Sequence, residues 1–201
     1  LEVEHLEYEL IHADIEIEGK RYNLYLCASE DFKKRGESKI ALDDYYRTNA
    51  KKAESHYDFC VRCGWKEYID QMIAIDYLIL NRDRQGANIE ILRNARAHTL
   101  RIAPLFDHGL SLLYSCISDA AAMKFDIMDD KRCQNFIGSY SCYENLNFIK
   151  ECGDVFKGKL KESDRSIIFG GLETILSEVF IDKIWNMIYE RYKVYENLSN
   201  N

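Results

Sequence analysis

Between Trp65 and Leu80 the chain is apolar on most sides of a helical wheel. Trp65, Tyr68, Ile69, Met72, Ile73, Ile79 and Leu80 keep helical spacing, and Ile75 and Leu78 fill other faces. A helix apolar nearly all round cannot lie on a surface, so other elements must wrap it. Gly64 precedes it, and Asn81-Arg82-Asp83 ends it. A period of two governs the start of the chain. Ile11, Ala13, Ile15 and Ile17 alternate with His12, Asp14 and Glu16, and after Glu18-Gly19-Lys20 the chain resumes as Tyr22-Asn23-Leu24-Tyr25-Leu26, which predicts a β-hairpin. A hairpin of that length is no domain by itself; it belongs to something larger or packs on the helical body.

From about Ala41 the period is helical. Short strands are expected at 89–92 and 100–103 around a polar turn, with Pro104, the only proline, closing the second. After Gly109 the pattern predicts helix again. One long amphipathic helix is expected from near Gly171, with Leu172, Ile175, Leu176, Val179, Phe180, Ile184, Met187 and Ile188 on one stripe. The expected class is α+β, mainly α.

At 47% apolar and 30% charged over 201 residues, the composition suits one globular domain, or a large lobe with a fragment of another. No uncharged apolar run reaches about 18 residues and no signal-peptide pattern opens the chain, so a soluble, cytoplasmic protein away from membranes is expected. The net charge is -7, with Glu2, Glu4, Glu7, Glu9, Asp14, Glu16 and Glu18 crowding the start. That balance works against direct nucleic-acid binding. Seven cysteines without a secretory signal are expected as free thiols. His56, Cys60 and Cys63 share one helical face, but no second pair at zinc-site spacing accompanies them, so they are read as helix thiols.

The chemistry concentrates in Asp83, Asn88 and Asp107. Phosphoryl transfer from a nucleotide needs one carboxylate to orient and deprotonate the attacking hydroxyl, plus a carboxylate and an amide oxygen to hold magnesium against the phosphates. An Asp followed five positions later by an Asn, leading into a hairpin that ends in Asp-x-Gly, supplies those groups on one frame. Each residue also has a plainer reading: Asp83 as a turn residue, Asn88 as a turn donor, Asp107 as the N-cap of a following helix. Arg82 and Arg84 meet either a phosphate or a carboxylate such as Asp76 or Asp70. His108 is read as structural, because adjacent side chains diverge. Residues 129–132 read as a solvated turn, and the aromatic stretch 136–148, with Tyr140 and Tyr143, as either a substrate surface or core.

The stretch Asn81-Arg82-Asp83-Arg84-Gln85-Gly86-Ala87-Asn88, followed after a hairpin by Pro104-Leu105-Phe106-Asp107-His108-Gly109-Leu110-Ser111-Leu112, resembles the HipA-like serine/threonine kinases. These are a bacterial branch allied to the phosphatidylinositol-kinase-like enzymes. Their loop reads Asn-x-Asp-Arg-His-x-x-Asn, and a Ser-Leu follows their Asp-x-Gly. The resemblance implies a protein-kinase-like C-lobe with a catalytic β-hairpin, a short N-terminal β-hairpin and a hinge. It implies Asp83 as catalytic base, Asn88 and Asp107 as magnesium ligands, ATP and Mg2+ as nucleotide and metal, a protein substrate and an antitoxin-like partner. Residues 25–32 resemble the last N-lobe strand and hinge, with Tyr25, Leu26 and Cys27 beside adenine. The implied division is 1–32 as an N-lobe remnant and 33–201 as the helical C-lobe.

Two departures accompany the resemblance. Gln85 replaces the loop histidine, keeping a hydrogen-bonding side chain that cannot ionise. About two dozen residues precede Tyr25, and they hold no Gly-rich loop; Lys20 sits in the hairpin turn beside Gly19. The expectation is therefore the C-lobe of a longer kinase that alone binds ATP weakly. Other classes remain open at this level: a non-catalytic pseudokinase or interaction module, and a lipid or small-molecule kinase of related fold, for which no basic membrane-facing patch is evident.

Overall fold

The computed structural model describes residues 1–149 and 155–199. The initial alternation forms an antiparallel hairpin, β1 (Glu9–Ile17) and β2 (Lys20–Ala28), with Ile17 opposite Lys20 and Glu9 opposite Ala28. Glu18 and Gly19 make its turn with φ of 51° and 77°, the double positive φ that a two-residue hairpin favours. Strict alternation sorts the two faces. Ile11, Ala13, Ile15 and Ile17 share one with Leu26, Leu24 and Tyr22. On the other, the Asn23 amide bridges His12 and Asp14 at 2.8 and 2.7 Å. The apolar face is left bare: Ile11, Ile17 and Tyr22 are exposed, and no hairpin residue enters either of the two core clusters.

A connection leads to β3 (Ser38–Ala41), which runs directly into α1 (Leu42–Asn49). The next helix, α2 (His56–Arg62), starts at Ser55, whose hydroxyl accepts the Asp58 amide at 3.0 Å. The all-round apolar segment is α3 (Lys66–Leu78), and its burial follows the sequence pattern, with Ile69, Met72, Ile73, Ala74, Tyr77 and Leu78 inside. Beyond it come β4 (Asp83–Arg84), β5 (Glu90–Asn94) and β6 (Thr99–Ile102). Strands β3, β5 and β6 form an antiparallel sheet in that order. The chain then builds α4 (Asp119–Lys124), β7 (Gln134–Asn135), α5 (Cys142–Ile149), α6 (Arg165–Phe169) and α7 (Glu178–Ser199). Strand β7 pairs in parallel with β4.

Two cores result. The larger surrounds α3 and takes in Phe59, Ile89, Ile91, Leu105, Phe136, Leu146 and Tyr192; the smaller joins α4, α6 and α7 through Ala122, Phe169, Ile181, Ile184 and Trp185. Arg191 of α7 ties them, donating to the carbonyls of Ile127 (2.8 Å), Asp129 (2.9 Å) and Tyr77 (3.2 Å), the last in the final turn of α3.

Two boundaries depart from expectation. After Gly109 the chain makes turns, with Leu112 at φ 55°, and helix begins only at Asp119. The apolar residues there serve the smaller core without helical geometry; Leu113 is one of its buried members. The last long helix starts at Glu178 and not near Gly171. Gly171 takes φ 88°, Leu172–Thr174 form a short 3-10 turn, and Leu172 and Leu176 reach the same core from that irregular stretch. Among the described residues no helix is long and apolar enough to cross a membrane. The six cysteines among them are free thiols, and no three of their His, Cys, Asp or Glu side chains are grouped to hold a metal. Cys60 is buried in α2 and Cys63 follows its last turn.

Candidate functional site

One charged residue on the buried face of α3, Asp76, organises the loop that follows. It accepts two hydrogen bonds from Arg84, from Nε at 2.9 Å and Nη2 at 3.0 Å, and one from Asn81 Nδ2 at 2.9 Å. Arg84 is 1% exposed and Asp76 2%. Burial works to strip the guanidinium of its proton, but the Asp76 charge and its hydrogen bonds more than reverse that, so Arg84 is held above its ordinary range. The remaining arm of Arg84 is a clamp. Its Nη1 donates to the carbonyl of Asn88 at 3.2 Å and to that of Phe106 at 2.7 Å. Those two oxygens therefore stand no further apart than the sum of these distances, which brings the end of the loop beside the residue preceding Asp107.

Asp83 is half-buried at the head of β4, opposite Gln134 of β7, and its amide donates to Asn81 Oδ1 at 3.2 Å. Asn88 ends the 3-10 turn Gly86–Asn88. Its Nδ2 donates to the Asp83 carbonyl at 2.8 Å and lies 3.4 Å from Asp83 Oδ2, so the amide orientation is set and Oδ1 is left without a protein donor among the described residues. Asp107 is exposed and sits at φ 54°, a costly backbone conformation for a residue with a Cβ. Its amide donates to the Tyr8 hydroxyl at 3.0 Å, while its carboxylate makes no hydrogen bond or ion pair among the described residues. Asp83 and Asn88 thus touch directly, and the Arg84 clamp ties the Asn88 backbone to that of Phe106, the residue before Asp107.

Tyr25, Leu26 and Cys27 lie within β2, opposite His12, Ile11 and Leu10, and the Tyr25 ring stacks on His12 at 4.6 Å. The connection that leaves this strand borders a cavity of about 510 Å³, walled by His5, Leu6 and Glu7 on one side and by Ala28 to Phe32 on the other. Phe32, which lines this cavity, packs against the Phe106 ring with centroids 5.5 Å apart. Glu7, Glu9, Glu30 and Asp31 make its lining acidic, which suits a base or sugar better than phosphates. A groove of about 580 Å³ between α1 and the β5–β6 turn contains none of the candidate residues.

The two arginines flanking Asp83 have separate fates. Arg84 is spent on Asp76. Among the described residues Arg82 meets no carboxylate: its guanidinium lies 4.3 Å from the Tyr114 ring centre, with Nε and Nη2 buried and unpartnered. Gln85 points to solvent, and His108 is half-buried, its pKa pushed down by burial and then by the Arg84 charge. Residues 129 and 130 are exposed, as expected of a turn, and the aromatic stretch divides. Phe136 is in the core against His56, whereas Tyr140, Tyr143 and Phe148 are exposed. Sequence reasoning missed Tyr8 and the segment beside it, where the Leu105 carbonyl accepts from the Leu6 N–H (2.8 Å) and the Leu105 N–H donates to the Glu4 carbonyl (3.0 Å). No local pattern marks a contact spanning a hundred positions. Asp76 did carry a signal, as a charge inside an otherwise apolar helix.

No protein-family model matches the chain, and no curated protein matches it. Among solved structures it is similar to the crystal structure of a Helicobacter pylori proinflammatory kinase, CtkA, with a TM-score of 0.66 over 97% of this chain and 80% of that one, at 18% identity. At that identity the likeness is one of fold. The mixed α/β architecture described above is therefore shared with that kinase.

Proposed function

We propose that the chain carries the catalytic half of a HipA-like, Mg2+-dependent phosphotransferase that passes the γ-phosphoryl group of ATP to a serine or threonine hydroxyl of a protein. The observation that carries this reading is the Arg84 clamp. It joins the Asn88 carbonyl to that of the residue before Asp107 while the Asn88 side chain holds the Asp83 carbonyl, which supports reading Asp83, Asn88 and Asp107 as parts of one phosphoryl-transfer site. The donors fit the metal. An unpaired carboxylate on Asp107 and the free amide oxygen of Asn88 are hard oxygen ligands of the kind magnesium takes alongside phosphate oxygens. When bound, the metal supplies positive charge against the transferring phosphoryl group.

The chain's own residues have distinct tasks. Asp83 orients the acceptor hydroxyl and takes its proton. Asn88 fixes the position of Asp83 through its Nδ2. Arg84 keeps the two halves of the site in register. The acidic cavity at residues 28–32 receives the base and ribose, leaving the phosphates toward Asp107.

Two substitutions test the assignment by failing differently. In the full-length protein, Asp107→Asn should weaken Mg-ATP binding in calorimetry by at least about tenfold, because it removes a ligand charge. Asp83→Asn should leave that binding within about twofold and lower turnover by roughly 10²-fold or more, the usual contribution of a positioned base. Wild-type binding and turnover in both variants would remove the phosphotransferase reading and leave an interaction module.

A further inference from the structure

The ribbon that flanks the proposed base carries a cation with no counter-charge. Strand β4 pairs with β7 so that Asp83 stands opposite Gln134 in parallel register, the Gln134 amide donating to the Arg82 carbonyl and the Phe136 amide to the Arg84 carbonyl, each at 2.8 Å. Residues paired across a parallel ladder project from one face, and alternate residues along a strand return to it. Gln134 and Arg132 therefore share the face of Asp83, while Cys133 shares that of Arg84. Burial agrees: Gln134 and Arg132 are exposed, whereas Cys133 and Arg84 are buried. With strands about 4.8 Å apart and a rise of about 3.3 Å per residue, the Cα atoms of Asp83 and Arg132 lie roughly 8 Å apart, little more than the length of one arginine side chain.

Three other cations border the base, and none is open to a ligand. Arg84 is buried on Asp76, Arg82 has Nε and Nη2 buried beside Tyr114, and Lys131 pairs with Asp129. Arg132 differs. Its guanidinium lies 4.6 Å from the centre of the Tyr140 ring, itself 63% exposed, and makes no hydrogen bond or ion pair among the described residues. Asp130, two positions before it, is engaged elsewhere, accepting from the Ser141 hydroxyl and from the Tyr143 amide at 3.2 Å. The backbone under the stacked pair is pinned by the bridge of Arg132 with Ser141 and by the Cys133 amide on the Tyr140 carbonyl at 2.9 Å. Stacking on a ring occupies one face of a guanidinium and leaves its N–H edges, the side that grips a carboxylate with two parallel hydrogen bonds. A cation positioned in this way loses little freedom on taking an anion.

We propose that Arg132, seated on Tyr140, is a specificity residue of the acceptor side: it takes the carboxylate of an Asp or Glu within about three residues of the Ser or Thr that meets Asp83, so that the substrate is an acidic segment of a protein. An extended segment rises about 3.3 Å per residue, and one to three residues cover the separation of Arg132 from Asp83. The net charge of -7 repels such a segment over most of the surface, so one open cation beside the base decides where it is admitted. That the bound segment carries the acceptor rests on the phosphotransferase reading; its charge preference does not.

Fluorescein-labelled peptides of about nine residues, with a central Ser among Ala and Gly and a Glu, Gln or Lys at one position from three before it to three after, give both readouts. In fluorescence anisotropy with the full-length protein, Glu should bind about fivefold or more tighter than Gln at one or two of those positions, and salt near about 0.5 M should erase most of the gain. Arg132→Gln should bring the Glu and Gln peptides within about twofold. Arg132→Glu should turn the preference to Lys at the same positions, a reversal that a merely structural role does not produce. The side chain is exposed, so both variants should melt within about 2 °C of the wild type, and unfolding of both would contradict that setting. Turnover of the same peptides with Mg-ATP separates the two readings. A Glu preference in binding with no phosphorylation removes the phosphotransferase and leaves the acidic-segment site. Equal binding of Glu and Gln peptides, no binding by any peptide, a preference that survives Arg132→Gln, or phosphorylation of the Glu and Gln peptides with equal efficiency would overturn the proposal.

Discussion

Replacing Arg84 by methionine isolates the interaction on which the candidate site is built. The substitution keeps most of the apolar stem and removes the charge. Asp76 is then a buried carboxylate with only the Asn81 amide left, and the carbonyls of Asn88 and Phe106 lose their shared donor. Breaking a buried ion pair from one side costs about 3–5 kcal/mol, because the surviving charge is uncompensated. For a chain of this length each kcal/mol lowers Tm by roughly 2–4 °C, so a fall of roughly 10 °C is expected. Asp76→Leu should cost a similar amount. The double variant Arg84→Met/Asp76→Leu removes both charges and should recover about 2 kcal/mol or more relative to the sum of the singles. Urea denaturation of the four proteins, followed by circular dichroism, completes the cycle. A single-variant loss below about 1 kcal/mol, or a double variant that equals the sum, would show that the pair is not coupled as described.

Three further outcomes are expected. His56 packs against Tyr46 and Phe136 at 4.2 and 4.3 Å, and burial depresses its pKa, only partly countered by the Phe136 backbone. The unfolded chain then takes a proton first, so stability should be level above about pH 7 and decline as pH falls through about 6.5. His56→Gln should lessen that decline in urea midpoints measured at two pH values; an identical decline would refute the assignment. A Cβ on Gly86 would stand 2.6 Å from Asp43 Cβ and 2.7 Å from Phe136 Cδ2, so Gly86→Ala should cost about 1–3 kcal/mol in the same assay and weaken Mg-ATP binding by displacing Asn88; wild-type stability would contradict the packing. Amides of β1 and β2 should exchange far faster than those of α3, because a hairpin outside both cores has little to hold it. Equal protection would mean that the bare face is covered in solution.

How much of this was legible beforehand depends on the range over which each feature is encoded. Helix α3 was readable because burial on all sides leaves a continuous apolar signature, and the β1–β2 hairpin because alternation and a Glu-Gly turn are local. Asp83, Asn88 and Asp107 stood out by their spacing together with the family resemblance, both carried within a short stretch of sequence. The ends of helices were harder. Leu172 and Leu176 continue the stripe of α7 on paper, yet the positive φ of Gly171 interrupts the backbone there. The residues after Gly109 carry apolar side chains that a core takes up equally well from turns. Pairings such as β3 with β5, or Leu6 with Leu105, leave no mark within any short window.

The anchorage of the N-terminal hairpin makes it a lever. Its root is fixed by the two backbone hydrogen bonds of Leu105, to Leu6 and Glu4, and by the Asp107 amide donating to the Tyr8 hydroxyl. Its two nine-residue strands extend roughly 30 Å beyond, at about 3.3 Å per residue. Turning that arm by about 5° carries its tip through roughly 3 Å while the root shifts by only tenths of an ångström. The relation also runs backward: a small sideways force at the Gly19 tip is multiplied into torque at the root. There it meets Asp107, whose backbone already stands at φ 54°. Whatever grips the far end of the ribbon has a mechanical hold on the residue proposed to bind the metal.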